Sequence, residues 1–467
     1  MLTRLEVDGF KNLLDFSVNF GPYTCIAGPN AVGKSNIFDA IEFLSLLSEY
    51  SFMDAALRLR SAGARGADPR TLFWMGQGAS STMSLAVEMI VPSKVEDDFG
   101  RTAKPTTSFL RYELELEYEA PGGEGYAQMG RIVLRREELR HIKLGDALAH
   151  LPWRHSKKLF RDRIVFGRRS GTAYISTTVD GDQRIVNVHQ DGGSRGQPRT
   201  SPAVRAPRTA VSATTSSDDP TILAARREMQ QWRMLALEPS AMRSPDAASD
   251  PTRIAPDGAH LAAALYRLTA GNSADIYSQV AAAMAALVDF RGVSVDFDPH
   301  RESLTLQARL GDGPALPARA LSDGTLRFLA LCIISVDPEF AGLLCMEEPE
   351  NGIHPGRIEA MVDLVKGLAV DPRETPGPDN PMRQVIVNTH SPYFVQYQSA
   401  DDLLLSLPTS VLRSGARAET VRLTPLQGSW REKSGEFGVS RSVIMDYLRN
   451  PEGTQLRLDL GEGQEIA

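Results

Sequence analysis

Gly28-Pro29-Asn30-Ala31-Val32-Gly33-Lys34-Ser35 stands between a short β-rich run, Tyr23 to Ala27, and a stretch from Ser35 to Leu47 with apolar residues at helical spacing. The octapeptide fits Gly-x-x-x-x-Gly-Lys-Ser in the strand, loop, helix setting that gives the pattern its meaning. Glycines let the backbone curl until its N–H groups converge on phosphate oxygens at a helix N-terminus, where the dipole favours an anion. Lys34 then adds a point charge, and the Ser35 hydroxyl is a ligand for Mg²⁺, a hard cation that prefers oxygen. Asn36 follows in the first turn of the same helix. A plain glycine turn before a helix is the competing reading, and the flanking strand and helix argue against it.

Three later stretches extend this reading. Leu343-Leu344-Cys345-Met346 is a buried-strand run ending in Glu347-Glu348, and the continuation Pro349-Glu350-Asn351-Gly352-Ile353-His354-Pro355 suits a sharp loop and a helix start. Of two such carboxylates one can hold Mg²⁺ and its neighbour can polarise a water; taken alone, a solvated strand end is the commoner explanation. Leu321-Ser322-Asp323-Gly324-Thr325 precedes an apolar helix. In isolation it reads as a helix cap on Ser322 or Asp323, but its amides and hydroxyl also form a second phosphate-binding surface. Val385-Ile386-Val387-Asn388-Thr389-His390 is a buried strand with a histidine at its exit. There an imidazole can sense a phosphate and orient water, where most lone histidines are structural.

The bulk properties fit an intracellular protein. The chain has 467 residues with 42% hydrophobic and 23% charged, and its net charge of -7 argues against a protein that coats nucleic acid throughout. The expected location is the cytoplasm, because Met1 to Glu6 lacks the apolar core of a signal peptide and the longest apolar run, Phe328 to Val336, is too short to span a membrane. Cys25, Cys332 and Cys345 sit inside apolar runs without metal-ligand spacing, so reduced core thiols are expected. Alternating strands at Met83 to Val91 and Phe109 to Tyr118 indicate an antiparallel sheet, with a turn at Pro121-Gly122-Gly123. A hairpin is expected about Asp180-Gly181-Asp182, a mobile loop at Gly192 to Ser217, a helix at Thr221 to Leu237, and fraying at Asn450 to Ala467.

Taken together, these motifs resemble the SMC/RecF-like branch of ABC ATPases, particularly bacterial predicted ATPases of the OLD/RecF-like kind without a Toprim nuclease domain. The likeness covers Leu2 to Leu47 and Ala320 to Gln396 closely, and Trp232 to Leu268 more loosely through Met242-Arg243 and Asp257-Gly258-Ala259-His260-Leu261. It implies an α/β fold: an ABC-type P-loop NTPase head split by a large α+β insertion with antiparallel strands and helices. The implied divisions are residues 1–80 and 301–430 for the two halves of the head, 81–300 for the insertion, and 431–467 for an extension and acidic tail. By the same resemblance ATP and Mg²⁺ are the cofactors. Lys34, Glu348 and His390 are catalytic, Ser35, Glu347 and Gln77 hold the metal, and Ser322, Asp323 and Gly324 form the signature. Lys11 and Asn12, in Phe10-Lys11-Asn12, lie near the nucleotide. Two departures bear on metal geometry and signature contacts: Glu347 replaces the usual Asp, and Thr325 stands where transport ATPases have Gln.

About 290 residues separate Lys34 from Ser322, without heptads or a Cys-x-x-Cys hook, which argues against a transporter subunit or a long-armed DNA tether. After His390 77 residues remain, too few for an appended nuclease domain, so any such chemistry is expected from a separate effector protein. Between Arg131 and Arg169 there are 12 Lys or Arg against 4 Asp or Glu. That tract is either a DNA-backbone contact or a solvated face that an acidic partner can use, with equal weight. The expected function is an ATPase whose ATP-bound homodimer, a head-to-tail sandwich, acts on DNA or an effector in genome maintenance or defence. The competing class is a regulatory or scaffold module that binds ATP, sequesters a toxin or nuclease, and turns over little.

Overall fold

The computed structural model describes all residues except 31, 60–67, 77–80, 121–129, 168–172, 182, 192–195, 271–272, 414, 433–437 and 450–467. Ala31, Gln77, Asp182, Arg168, Arg169, the turn at Pro121-Gly122-Gly123 and the acidic tail therefore lie outside the described residues.

Tyr23–Ala27, wholly apolar apart from Thr24, lies in the middle of a six-stranded sheet. The order is Trp232–Leu235, Gly342–Glu347, Arg383–Thr389, Tyr23–Ala27, Leu403–Arg413, Ala416–Pro425. Neighbours among the first five are parallel, and the last pair is antiparallel. All five residues of Tyr23–Ala27 and all seven of Arg383–Thr389 are buried, as a parallel sheet covered on both faces requires. The register pairs Thr389 with Ala27 and Glu347 with Asn388. The carboxyl ends of three adjacent parallel strands thus coincide, and the phosphate loop, the acidic pair and His390 all leave the sheet at one edge, the usual ligand position of such sheets.

Leu2–Asp8 opens a separate eight-stranded antiparallel sheet with Phe16–Asn19, Thr82–Ile90, Phe109–Glu119, Arg131–His141, Ile175–Asp180, Gln183–Val188 and Arg199–Pro202. The phosphate-loop helix, Lys34–Leu47, packs Ile37, Phe38, Ile41 and Leu44 into one core with Leu5, Val87 and Leu114 of that sheet and Ile26 and Ile386 of the other. Buried Gln384 ties the sheets together: its Oε1 accepts the Leu2 N–H at 2.8 Å, and its Nε2 donates to the Leu2 carbonyl at 2.7 Å and the Gly21 carbonyl at 2.8 Å. A second core, on the other face of the parallel sheet, is built around the apolar helix Asp323–Val336 and the pair Phe290–Asp298 and Ser303–Leu310. Residues 81–300 supply strands to both large sheets. The three cysteines are free and buried, as their apolar settings indicated.

Two local expectations need correction. The helix expected through Leu237 ends at Gln230, and Trp232–Leu235 becomes the edge strand beside Gly342–Glu347. Pairing to an otherwise open sheet edge outweighs the local helical pattern there. The stretch expected as a mobile loop contains the strand Arg199–Pro202 and the short helix Ala210–Ala213. Fully buried Ala203 and Val211 anchor it, and Thr209 caps the helix by accepting the Ser212 N–H.

A buried carboxylate holds the same helix end. Glu137 accepts the N–H groups of Ala210 at 2.7 Å and Val211 at 3.0 Å, with the Tyr112 hydroxyl at 3.2 Å. Those donors favour the charged form, yet full burial prevails and pushes the carboxyl from 4.5 up to about 7. The folded chain therefore keeps a proton that the unfolded chain has already released. The resulting stabilisation is complete below the unfolded value and fades as pH rises through the folded one, by about 3 kcal/mol in all. Denaturant midpoints should fall from pH 5 to 8 in the wild-type chain and less so in Glu137→Gln. Parallel pH profiles would contradict this.

Candidate active site

A cleft of about 320 Å³ opens at the carboxyl edge of the parallel sheet. The phosphate loop contributes Asn30, Gly33, Lys34 and Ser35. Glu347 and Asn388 come from the next two strands and Glu348 and Asn351 from the turn after Glu347, and Ala236, Leu237, Glu238 and Arg327 complete the lining.

The loop's shape follows from its glycines and its neighbours. Gly33 caps the helix at φ 107°, a conformation L side chains avoid, and a Cβ there would lie 2.5 Å from the Asn12 amide nitrogen. Gly28 donates its N–H to the Thr389 carbonyl at 3.1 Å, and a Cβ on it would meet Ser406 at 3.0 Å. Pro29, Asn30 and Val32 lie on the curve between these two glycines. Lys34 is buried, and its ammonium donates to the carbonyls of Gly28 at 2.6 Å and Pro29 at 2.7 Å. Burial lowers its pKa to about 8, while Glu348, Glu347 and Glu350 hold it up. The charge is therefore largely kept at neutral pH.

The strand Gly342–Glu347 ends in a left-handed residue: Glu348 has φ 45°, held by its N–H donating to the Asn388 carbonyl at 3.0 Å. A non-glycine residue in this region is strained and persists only where its surroundings fix it. Here the surroundings also fix the side chain. One Glu348 oxygen is hydrogen-bonded to His390 Nδ1, and the other accepts from Asn351 Nδ2 at 2.8 Å. Behind them Glu350 is buried, and its Oε1 accepts the Thr389 hydroxyl, whose own oxygen accepts the Ser391 N–H at 2.9 Å. Burial raises the Glu350 carboxyl above its ordinary value.

Several expected site residues lie elsewhere. Lys11 does not line the cleft, because its ammonium pairs at 2.6 Å with Asp39, a buried carboxylate on the phosphate-loop helix that needs a cation. Asn12 supports the loop from outside, donating to the Val32 carbonyl at 3.4 Å and accepting from Asn36 Nδ2 at 2.8 Å. Ser322 caps its own helix, its Oγ accepting the Thr325 N–H at 3.2 Å. Asp323 is paired with Arg243, whose guanidinium also donates to the Leu321 carbonyl at 3.2 Å. Ser322 and Gly324 face a separate hollow of about 590 Å³ that includes His354 and Arg357 and none of the phosphate loop.

The basic tract is partly neutralised. Along Arg131–His141, Arg131 pairs with Glu119, Arg135 with Glu117, and Arg136 and Arg140 with Glu113 and Glu138. Glu113, Glu117 and Glu119 stand on the neighbouring strand Phe109–Glu119, and Glu138 on the arginines' own strand. Further along the tract, Lys157, Lys158, Arg161 and Arg163 sit on the short helical segments Lys157–Arg161 and Asp162–Ile164, where Arg161 lies 3.7 Å from Asp162. Among the described residues no helix is long and apolar enough to cross a membrane.

Overall likeness to solved SMC heads is broad and distant. The SmcHead bound to the C-winged helix domain of ScpA matches at 14% identity over 93% of this chain and 99% of that one, with a TM-score of 0.45. The SMC head domain from Thermotoga maritima matches at 13% identity over 91% of this chain and 99% of that one, with a TM-score of 0.36. Residues 283–396 match the family described as "AAA domain, putative AbiEii toxin, Type IV TA system". A segment of 125 residues is 29% identical to structural maintenance of chromosomes protein 1 of Schizosaccharomyces pombe. Over these segments the chain is similar to the AAA-domain family and to an SMC protein. The yeast match covers 26% of this chain and 8% of that protein.

The family match contains Ser322 to Gly324, Glu347, Glu348 and His390, while Gly28 to Ser35 lie outside it. The sequence motifs left four polar cleft residues unassigned: Asn351, Asn388, Glu238 and Arg327. Asn388 was visible as a polar residue closing an apolar strand. Arg327 was hidden in an apolar helix, and Glu238 in a stretch expected to follow a longer helix.

Proposed function

We propose that the chain hydrolyses ATP in this cleft and that ATP joins two copies head to tail. The observation that carries the reading is the convergence of Lys34, Ser35, Glu347 and Glu348 on one cleft, with Glu348 clamped by His390 and Asn351. The backbone N–H groups of the loop and the Lys34 ammonium hold the phosphates. Ser35 and Glu347 offer only oxygen ligands, which suits Mg²⁺, and those two residues would hold it. Bound there, the ion supplies charge neutralisation at the phosphates. Glu348 accepts the proton of a water that attacks the γ-phosphorus while the bond to the β-phosphate oxygen breaks, giving ADP and phosphate. His390, hydrogen-bonded to Glu348, fixes the base and stabilises developing charge.

Pairing follows from the separate hollow around Ser322 and Gly324, which has no phosphate loop of its own. A second copy's nucleotide completes it, by analogy with the resembled branch. The change is passed to DNA or to an effector protein, and the description of the matched family as a toxin–antitoxin component supports defence over housekeeping. For DNA the contact is the cluster Lys157, Lys158, Arg161 and Arg163. Replacing all four by Glu should abolish duplex binding, and wild-type affinity should fall steeply as salt rises. Binding indifferent to both would exclude this cluster. Steady-state hydrolysis with and without DNA tests the coupling.

A further inference from the structure

Arg327 lies in the second turn of the helix capped by Ser322, and its side chain lines the cleft that also holds Lys34 and Ser35. Its Nε is buried without a hydrogen-bond partner. Among the described residues no carboxylate forms an ion pair with it, although Glu238, Asp323 and Glu350 are near enough to act on its charge. Burial lowers its pKa from the ordinary guanidinium value. A half-buried cation left unpaired is costly, and the planar guanidinium fork matches phosphate oxygens. Other partly buried or buried arginines have evident partners: Arg111 binds three glutamates, Arg267 meets Asp337 at 2.6 Å, Arg383 donates to the Phe340 carbonyl at 2.6 Å, and Arg233 lies over the Phe340 ring. Arg327 instead turns to the cleft that a second cation, Lys34, lines from a different element.

We propose that Arg327 is a phosphate ligand for the nucleotide held by its own chain's phosphate loop. This rests on the reading of the cleft as an ATP site and goes beyond it. The helix carrying Arg327 also presents Ser322 and Gly324 to the second hollow. A polyphosphate gripped by Lys34 and Arg327 together therefore fixes that helix against the sheet edge and sets the signature face for the second copy. Nucleotide binding in one chain is linked to pairing through one side chain.

The test uses the full chain and measures equilibrium affinity for Mg-ATP and for AMP, together with the melting temperature without nucleotide, in wild type, Arg327→Met and Arg327→Lys. The Met variant should lose about 10-fold or more of its preference for ATP over AMP, with Lys intermediate. Its nucleotide-free melting temperature should be unchanged or higher, because an unpaired charge has been removed. An ATP preference equal to wild type in the Met variant overturns the proposal and leaves the ATP site standing. A lower melting temperature with unchanged ATP preference assigns Arg327 to structure alone. If the Met variant does not fold, the Lys variant decides: wild-type preference for ATP, despite the lost fork, overturns the proposal. A wild-type chain that binds no ATP sinks both the proposal and the reading beneath it.

Discussion

Glu348→Gln is expected to bind Mg-ATP as well as wild type and to release phosphate at less than about 1% of the wild-type rate. The amide is nearly the same size, and it can still accept from Asn351 or from His390, so the left-handed turn at Glu348 and its backbone bond to Asn388 should persist. What is lost is the capacity to take a proton from water. His390→Ala should be milder, roughly 10- to 1000-fold, since it removes an orienting hydrogen bond and some charge stabilisation while leaving the base. Single-turnover assays separate these steps from nucleotide binding. A Glu348→Gln chain that hydrolyses at the normal rate would remove Glu348 from the role of base, and an unchanged His390→Ala rate would make that histidine structural.

Lys34→Ala and Ser322→Arg are each expected to be inactive alone and to regain activity when mixed. The first loses the ammonium that sits over Gly28 and Pro29. The second places a bulky cation on the hollow shared with Gly324 and Arg357. In a mixed pair one site carries both lesions, and the other combines the intact phosphate loop of one chain with the intact signature of its partner. Random exchange makes about half the pairs mixed, so independent sites would recover roughly a quarter of wild-type activity. Recovery well below that value indicates coupled sites. No recovery after confirmed exchange, together with no ATP-dependent crosslink in the Glu348→Gln chain, would contradict the shared site.

Much of the parallel sheet was legible because its strands are short apolar runs ended by polar or glycine residues: Tyr23 to Ala27 before Gly28, Leu343 to Met346 before Glu347, and Gln384 to Asn388 before Thr389. Local chemistry announced these elements. Trp232–Leu235 was not legible, because it reads as the end of the preceding helix and becomes a strand only through pairing with Gly342–Glu347. The hairpin Leu403–Arg413 and Ala416–Pro425 went unrecognised as well. The stretch from 196 to 217 has the composition of a loop, and what orders it is distant: the Glu137 carboxylate, invisible in the local sequence. Charge counting overstated the basic tract for the same reason, since the glutamates that neutralise Arg131, Arg135, Arg136 and Arg140 sit mainly on the adjacent strand. At the site the motif residues were readable, but the partners that give them geometry, Asn351 and Asn388, became evident only in three dimensions.

The central claim is that Lys34, Ser35, Glu347 and Glu348 form one ATP-hydrolysing site. Its most direct test is steady-state phosphate release from ATP by the purified wild-type chain and by Lys34→Ala, each with Mg²⁺ and with excess chelator. The account predicts Mg²⁺-dependent release by the wild-type chain that falls to background in Lys34→Ala. Release by wild type that is no faster than by Lys34→Ala would contradict it.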